Sequence, residues 1–243
     1  MRNSRFWELD VLRGIAVVMM IVFHFLWDLN YFGIIQQPLY VGFWGIFQKI
    51  TAISFLLLVG ICLTISHNNA IAGKIGYRMK FLKRGARIFG LGLLITLMTF
   101  IFVPQGTIIF GVLHLIGISI ILSILFVKLK YVNVLLGIAF IVVGVFLQSL
   151  IFNFPWLVWL GFLFREFYTF DYYPLLPWLG VILLGIFLGN VLYKNRKRII
   201  STNKIPKPPF TNKFQWLGRH SLVIYFLHQP VLIALLLIAQ QFL

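Results

Sequence analysis

The sequence predicts an all-α integral membrane protein: a polytopic bundle of about seven transmembrane helices, with one or two short interfacial or re-entrant helices and a cytoplasmic N-terminus. Three observations predict it. Hydrophobic residues fill 61% of the 243 positions and charged residues 11%, against roughly 45–50% and about 25% in soluble domains. The mean hydropathy is +0.98, more apolar surface than one water-soluble core of this size can hide. The 21 Lys and Arg, set against five acidic residues, gather in the gaps between apolar runs, which is the pattern that orients a chain in a bilayer. A net charge of +16 and a pI near 10.3 would suggest nucleic acid for a soluble chain. Placed as they are here, these charges make membrane lipid the expected partner and nucleic acid not.

A helix needs about 20 apolar residues to cross a hydrocarbon core of about 30 Å. Stretches of that kind lie near 11–29, 48–66, 87–103, 107–127, 131–152, 174–193 and 217–243, and they leave room for a single domain, 1–243. The first run has no small-residue cleavage site and is longer than a signal-peptide core, so it is read as retained structure. Ahead of the second run, Pro38–Phe47 is rich in Gly and aromatics and is expected to lie in the interface before the span proper starts near Gln48. Phe154–Phe164 is apolar but too short to cross, and is read as interfacial or re-entrant. The stretch Ser201–Thr211, with Pro206, Pro208 and Pro209, reads as an extended connector. Pro230 withholds a backbone donor from Phe226 and predicts a kink in the last span. The single cysteine, Cys62, excludes a disulfide within the chain.

Orientation follows from the cations. Arg2, Arg5 and Arg13 precede or open the first span, and Lys74, Arg78, Lys80, Lys83, Arg84 and Arg87 follow the second. Lys128 and Lys130 follow the fourth, while Lys194, Arg196, Lys197, Arg198, Lys204, Lys207, Lys213 and Arg219 follow the sixth. Only Lys49 and Arg165 fall on the opposite side. The expectation is a multi-pass protein of the cell membrane with its N-terminus inside and C-terminus outside.

Ionisable side chains inside spans are costly and therefore candidates for function. Asp10, Arg13, His24 and Asp28 fall within roughly 120° of one face of the first helix, with Arg13 and His24 about 16 Å apart along it. The alternative is an anchoring Asp10–Arg13 pair and an interhelical hydrogen bond from His24. In the last span Ser221, Tyr225 and His228 recur at helical spacing, as a polar seam or as part of a site. His114, alone in its span, reads first as structural, although three histidines at similar depth would suit one cavity. Asp171-Tyr-Tyr-Pro-Leu-Leu-Pro-Trp-Leu-Gly180 suits an aromatic interface belt, or stacking on a sugar ring beside a carboxylate. The cation clusters Lys80–Arg87 and Lys194–Arg198 mark topology or offer contacts to anionic lipid or a phosphate-rich ligand. No P-loop, HExxH, CxxC or nucleophile elbow is present, and no metal is expected.

Several of these segments, taken in order, resemble one family. Trp7-Glu-Leu-Asp-Val-Leu-Arg-Gly14, the Arg13-x₁₀-His24 spacing, Trp27-Asp28, Phe110-Gly-Val-Leu-His114, Tyr173-Pro-Leu-Leu-Pro-Trp-Leu-Gly180 and Leu217-Gly-Arg-His-Ser-Leu-Val-Ile-Tyr-Phe-Leu-His-Gln-Pro230 are similar to the heparan-α-glucosaminide N-acetyltransferase catalytic family and its prokaryotic relatives. The Arg-x₁₀-His spacing also resembles membrane O-acyltransferases of cell-surface polysaccharides. The resemblance implies transfer of acetyl from cytoplasmic acetyl-CoA, as co-substrate, to an amino sugar of glucosamine type, or a glycan, on the outer face. It implies catalysis at His24 and Asp28, acetyl-CoA contacts at Arg13, Lys83, Arg84, Arg87 and His228, and acceptor contacts at His114, Asp171 and Trp178. A homodimer fits the family. Animal members place a histidine in their first luminal loop, and Asn30–Gly42 here has none, so His24 takes that part by the O-acyltransferase pattern. Two other readings stand beside this one: an amino-sugar transporter, proton-coupled through His24, Asp28 and His114, and a membrane scaffold without catalysis.

Overall fold

The computed structural model describes residues 6–72, 76–194, 197–199 and 209–241. Arg2, Arg5, Lys74, Arg196, Lys204 and Lys207, and most of the proline-rich connector, lie outside the described residues. Within them the chain is an all-α membrane protein of eight α-helices. These are α1 (Trp7–Tyr31), α2 (Gly42–Ala72), α3 (Tyr77–Phe102), α4 (Val112–Phe126), α5 (Val132–Gln148), α6 (Leu175–Leu192), α7 (Thr211–Arg219) and α8 (Ser221–Gln240). Their outer faces carry large apolar side chains in the open, among them Phe102 at 75% exposure and Leu135 at 71%. Asp10, Asp28, His114, Ser119 and Asn133 are buried. A surface this apolar over a partly polar interior is built for lipid as solvent.

The count of spans needs correction. Five helices, α1, α2, α3, α6 and α8, are long and apolar enough to cross a membrane, where about seven were expected. α4 and α5 are apolar but only 15 and 17 residues long, about 22 and 25 Å. The predicted fourth span, 107–127, loses its start to non-helical chain before Val112, where Phe110 bridges to Tyr172; a 3₁₀ turn at Pro104–Gly106 precedes it. The fifth loses its end to a two-residue strand, β1 (Ile151–Phe152), parallel to β2 (Leu163–Phe164). Between these strands, where a short interfacial or re-entrant helix was expected, there is one 3₁₀ turn, Val158–Leu160. Pro155 precedes it and Gly161, at φ +125°, closes it, so no α-helix can run through. After α6, β3 (Tyr193–Lys194) and β4 (Lys197–Arg198) pair antiparallel.

Other boundaries move for related reasons. α2 is one continuous helix from Gly42, so Pro38–Phe47 is not a separate interfacial piece; no proline interrupts it after residue 38. α3 starts at Tyr77, ten residues before the predicted edge, because its Lys, Arg and Met are good helix formers whatever their polarity. The last predicted span is two helices, broken at His220, whose N–H turns back to Trp216 and Leu217 carbonyls. α8 then continues as helix through Pro230.

The chain packs as two compact units, 1–55 with 202–243, and 56–201. In the first, α1 lies against α7 and α8. In the second, α3 pairs with α4 and α5 with α6. The later part of α2 meets α6 through backbone: a Cβ on Gly60 would overlap the Ile182 carbonyl, and one on Gly185 the Leu57 carbonyl. Thr64 Oγ1 donates to the Ile186 carbonyl at 3.0 Å across the same contact. Small residues four apart, Gly60 with Thr64 and Gly185 with Gly189, serve this purpose where lipid supplies no hydrophobic drive between helices.

Candidate functional site

In the first unit α1 carries two polar stations. At the lower one Asp10 is buried, and Arg13 Nη1 reaches its Oδ1 at 3.3 Å while Arg219 Nε of α7 reaches its Oδ2 at 3.3 Å. Arg13 Nη1 also lies 3.4 Å from the Gly218 carbonyl, and Arg219 Nη2 donates to Gln215 Oε1 at 3.1 Å. Two glycines permit this: a Cβ at Gly14 would strike the Phe214 carbonyl and one at Gly218 the Asp10 carbonyl. Helices this close let short polar side chains meet across the seam. Arg13, expected at acetyl-CoA, is therefore engaged as a tie between α1 and α7.

The upper station lies 14 residues further along α1, about 21 Å. The His24 ring meets His228 of α8 edge to face, centroids 4.7 Å apart, and Phe23 flanks it at 6.3 Å. One turn on, Asp28 is 1% exposed and its Oδ1 accepts a hydrogen bond from Gln229 Nε2. The ring beside His24 is thus His228, while Asp28 is hydrogen-bonded to Gln229. His228 Nδ1 sits 2.6 Å from the Tyr225 carbonyl. A carbonyl only accepts, so Nδ1 carries the hydrogen and Nε2 presents a lone pair in the neutral ring. Asp28 Oδ2, His228 Nε2 and Gln229 Oε1 are buried with no hydrogen-bond partner. Buried polar groups are nearly always hydrogen-bonded, so these three atoms, one on α1 and two on α8, are acceptors with capacity to spare. Trp27 and Tyr31 stack at 5.1 Å just above.

Gln229 and Arg219 are the residues that sequence reasoning did not place in the site. The usable signal was that each buried carboxylate of α1 needs a donor, and the second-unit-independent candidates are the polar residues of the two C-terminal helices.

The second unit holds the other expected residues. Gly111 N–H donates to His114 Nδ1 at 3.2 Å, and His114 Nε2 faces Thr96 Oγ1 at 3.3 Å, which passes its own hydrogen to the Ile108 carbonyl at 2.6 Å. The ring is 2% exposed and stacks on Phe110. Both nitrogens have partners, and His114 closes the first turn of α4. Asp171 Oδ2 accepts from Val112 N at 3.0 Å, placing a carboxylate at the positive end of the α4 dipole. Tyr172 donates its hydroxyl to the Val158 carbonyl at 2.8 Å, and burial pushes the phenol pKa up, so it stays a donor. Trp178 is half-buried and tilts against Tyr173, centroids 5.0 Å apart. Lys83, Arg84 and Arg87 are exposed within little more than one turn near the start of α3.

The family model described as heparan-alpha-glucosaminide N-acetyltransferase, catalytic, matches residues 5–230. Comparison with curated proteins and with solved structures gives no match. The matched stretch runs from ahead of α1 to Pro230 and so takes in His24, Asp28, His228 and Gln229. A match over nearly the whole chain, with both polar stations inside it, decides the family: the chain belongs to the heparan-alpha-glucosaminide N-acetyltransferase catalytic family.

Proposed function

We propose that the protein moves acetyl from cytoplasmic acetyl-CoA to the amino group of a glucosamine-type sugar on the outer face of the cell membrane, with His24 at the point of transfer. Family membership supports a membrane acetyltransferase in general. The observation that carries the finer reading is the His24–His228 contact beside the Asp28–Gln229 pair, with three buried acceptor atoms left open. In this reading His24 takes a proton from the amine as it attacks the thioester carbon, and Asp28 holds the amine in line. Lys83, Arg84 and Arg87 are the proposed contacts for nucleotide phosphates, as exposed cations on one helical segment. Orientation in this proposal is N-terminus inside and C-terminus outside, on the distribution of Lys and Arg.

The test is purified protein with labelled acetyl-CoA and glucosamine. Wild type is expected to form N-acetylglucosamine, and His24→Ala to lose at least about 100-fold in kcat, the scale of a general base. If the wild type is inert and proteoliposomes instead accumulate the sugar, the protein is a permease.

A further inference from the structure

The two histidines pose a question that one general base does not answer. An amino sugar near neutral pH is largely an ammonium ion, and its acetylation removes two protons from one nitrogen. A hydroxyl acceptor loses one. The atoms left open around α1 and α8 are all acceptors: a carboxylate oxygen of Asp28, the amide oxygen of Gln229 and the lone pair of His228 Nε2. The Gln229 assignment is fixed by its partner, since an amide oxygen turned to the Asp28 carboxylate would repel it. Three acceptors match the three hydrogens of a primary ammonium group and match a hydroxyl poorly.

We propose that Asp28 Oδ2, Gln229 Oε1 and His228 Nε2 cradle the acceptor as an ammonium ion, and that His228 takes its first proton. The inference rests on the acetyltransferase reading. The steps balance as follows. The N–H bond directed at His228 breaks, and its proton moves to Nε2, giving an imidazolium whose Nδ1–H remains on the Tyr225 carbonyl. The freed lone pair on nitrogen forms a bond to the acetyl carbon, and the C–S bond breaks with its electron pair on sulfur. A second proton leaves nitrogen through His24, whose ring abuts His228, and ends on sulfur as the free thiol. The first proton returns from His228 to solvent. The products are an N-acetyl amine, a thiol and one proton, with nothing oxidised or reduced. Among the described residues, the titratable groups in ring contact with His228 are His24 of α1 and Tyr225 of its own helix, while Asp28 of α1 is bonded to the neighbouring Gln229. Asp28, one turn from His24, favours a positive charge in the cradle.

The experiment compares two acceptors at pH 7: glucosamine, largely protonated, and methoxyamine, a weakly basic amine already neutral there. His228→Ala and His228→Gln are expected to lose about 100-fold or more in kcat with glucosamine and at least about tenfold less than that with methoxyamine. The glucosamine defect should also shrink as pH rises and the amine deprotonates. His24→Ala should lose activity with both acceptors. One substituted protein inert to both acceptors, with the other showing the split, still supports the assignment, because the first has lost its fold. Equal losses on the two acceptors in both variants overturn it while leaving the acetyltransferase reading intact. A wild type that acetylates neither acceptor overturns that reading, and the cradle with it.

Discussion

Asp10 shows how much one carboxylate can organise. Two guanidinium groups converge on it from different helices, one of them 205 or more positions away in the chain, and the Gly14 and Gly218 contacts leave no room for a longer bridge. Replacing Asp10 by Asn leaves two cations facing each other in a partly buried seam. The expected cost is about 1–3 kcal/mol, below the figure for a fully buried pair because the Arg219 side chain is 44% exposed. The readout is a lower melting temperature in detergent. Arg13→Ala should do the same, with KM for acetyl-CoA unchanged; a raised KM at unchanged melting temperature would return Arg13 to the nucleotide. The sequence placed Asp10, Arg13, His24 and Asp28 on one face because helical periodicity is local information. Depth along the spans suggested His228 beside His24, but Arg219 and Gln229 could not be named as partners, since nothing local relates positions some 200 residues apart.

At the scale of elements, the first turn of α4 depends on chain far from it. Asp171 accepts the Val112 N–H, and His114 accepts that of Gly111. Asp171→Ala frees a buried donor and should cost about 1 kcal/mol, seen as faster hydrogen exchange in residues 111–115 with KM for the sugar unaltered. The opposite result, a higher KM at unchanged exchange, would make Asp171 an acceptor contact after all. Helix cores were legible in the sequence, and their ends much less so. Hydropathy marked where α3 becomes apolar, whereas the helix starts ten residues sooner on residues of good intrinsic propensity. Pro230 was the obvious breaker in the last span, yet the break falls at His220, where the Trp216 and Leu217 carbonyls are capped by backbone. A proline removes one hydrogen bond, and neighbouring helices in a membrane protein can absorb that loss.

For the whole molecule the asymmetry of charge governs. Lys and Arg outnumber Asp and Glu by 21 to five, and all but Lys49 and Arg165 sit in gaps assigned to one side. The positive-inside rule then predicts that a tag following Leu243 is reachable by antibody on intact cells, with an N-terminal tag protected until the cells are permeabilised. The reverse pattern would invert the orientation. The membrane character and family were legible from composition and motif order; the number of full-length spans was not. Hydropathy windows count apolar residues, and some of those near α4 and α5 are spent in turns and short strands.

α2 holds its own record of bilayer thickness. It is 31 residues long, about 46 Å, half as long again as a hydrocarbon core of about 30 Å. Yet exposed Lys49 and half-buried Asn68 stand 19 residues apart on it, a rise of about 28 Å. That interval is a built-in ruler. In a bilayer of that thickness the aromatic turns with Phe43, Trp44 and Phe47 would fall beyond one mark, at headgroup height, and a thinner sheet of lipid would have to be met by leaning the whole rod.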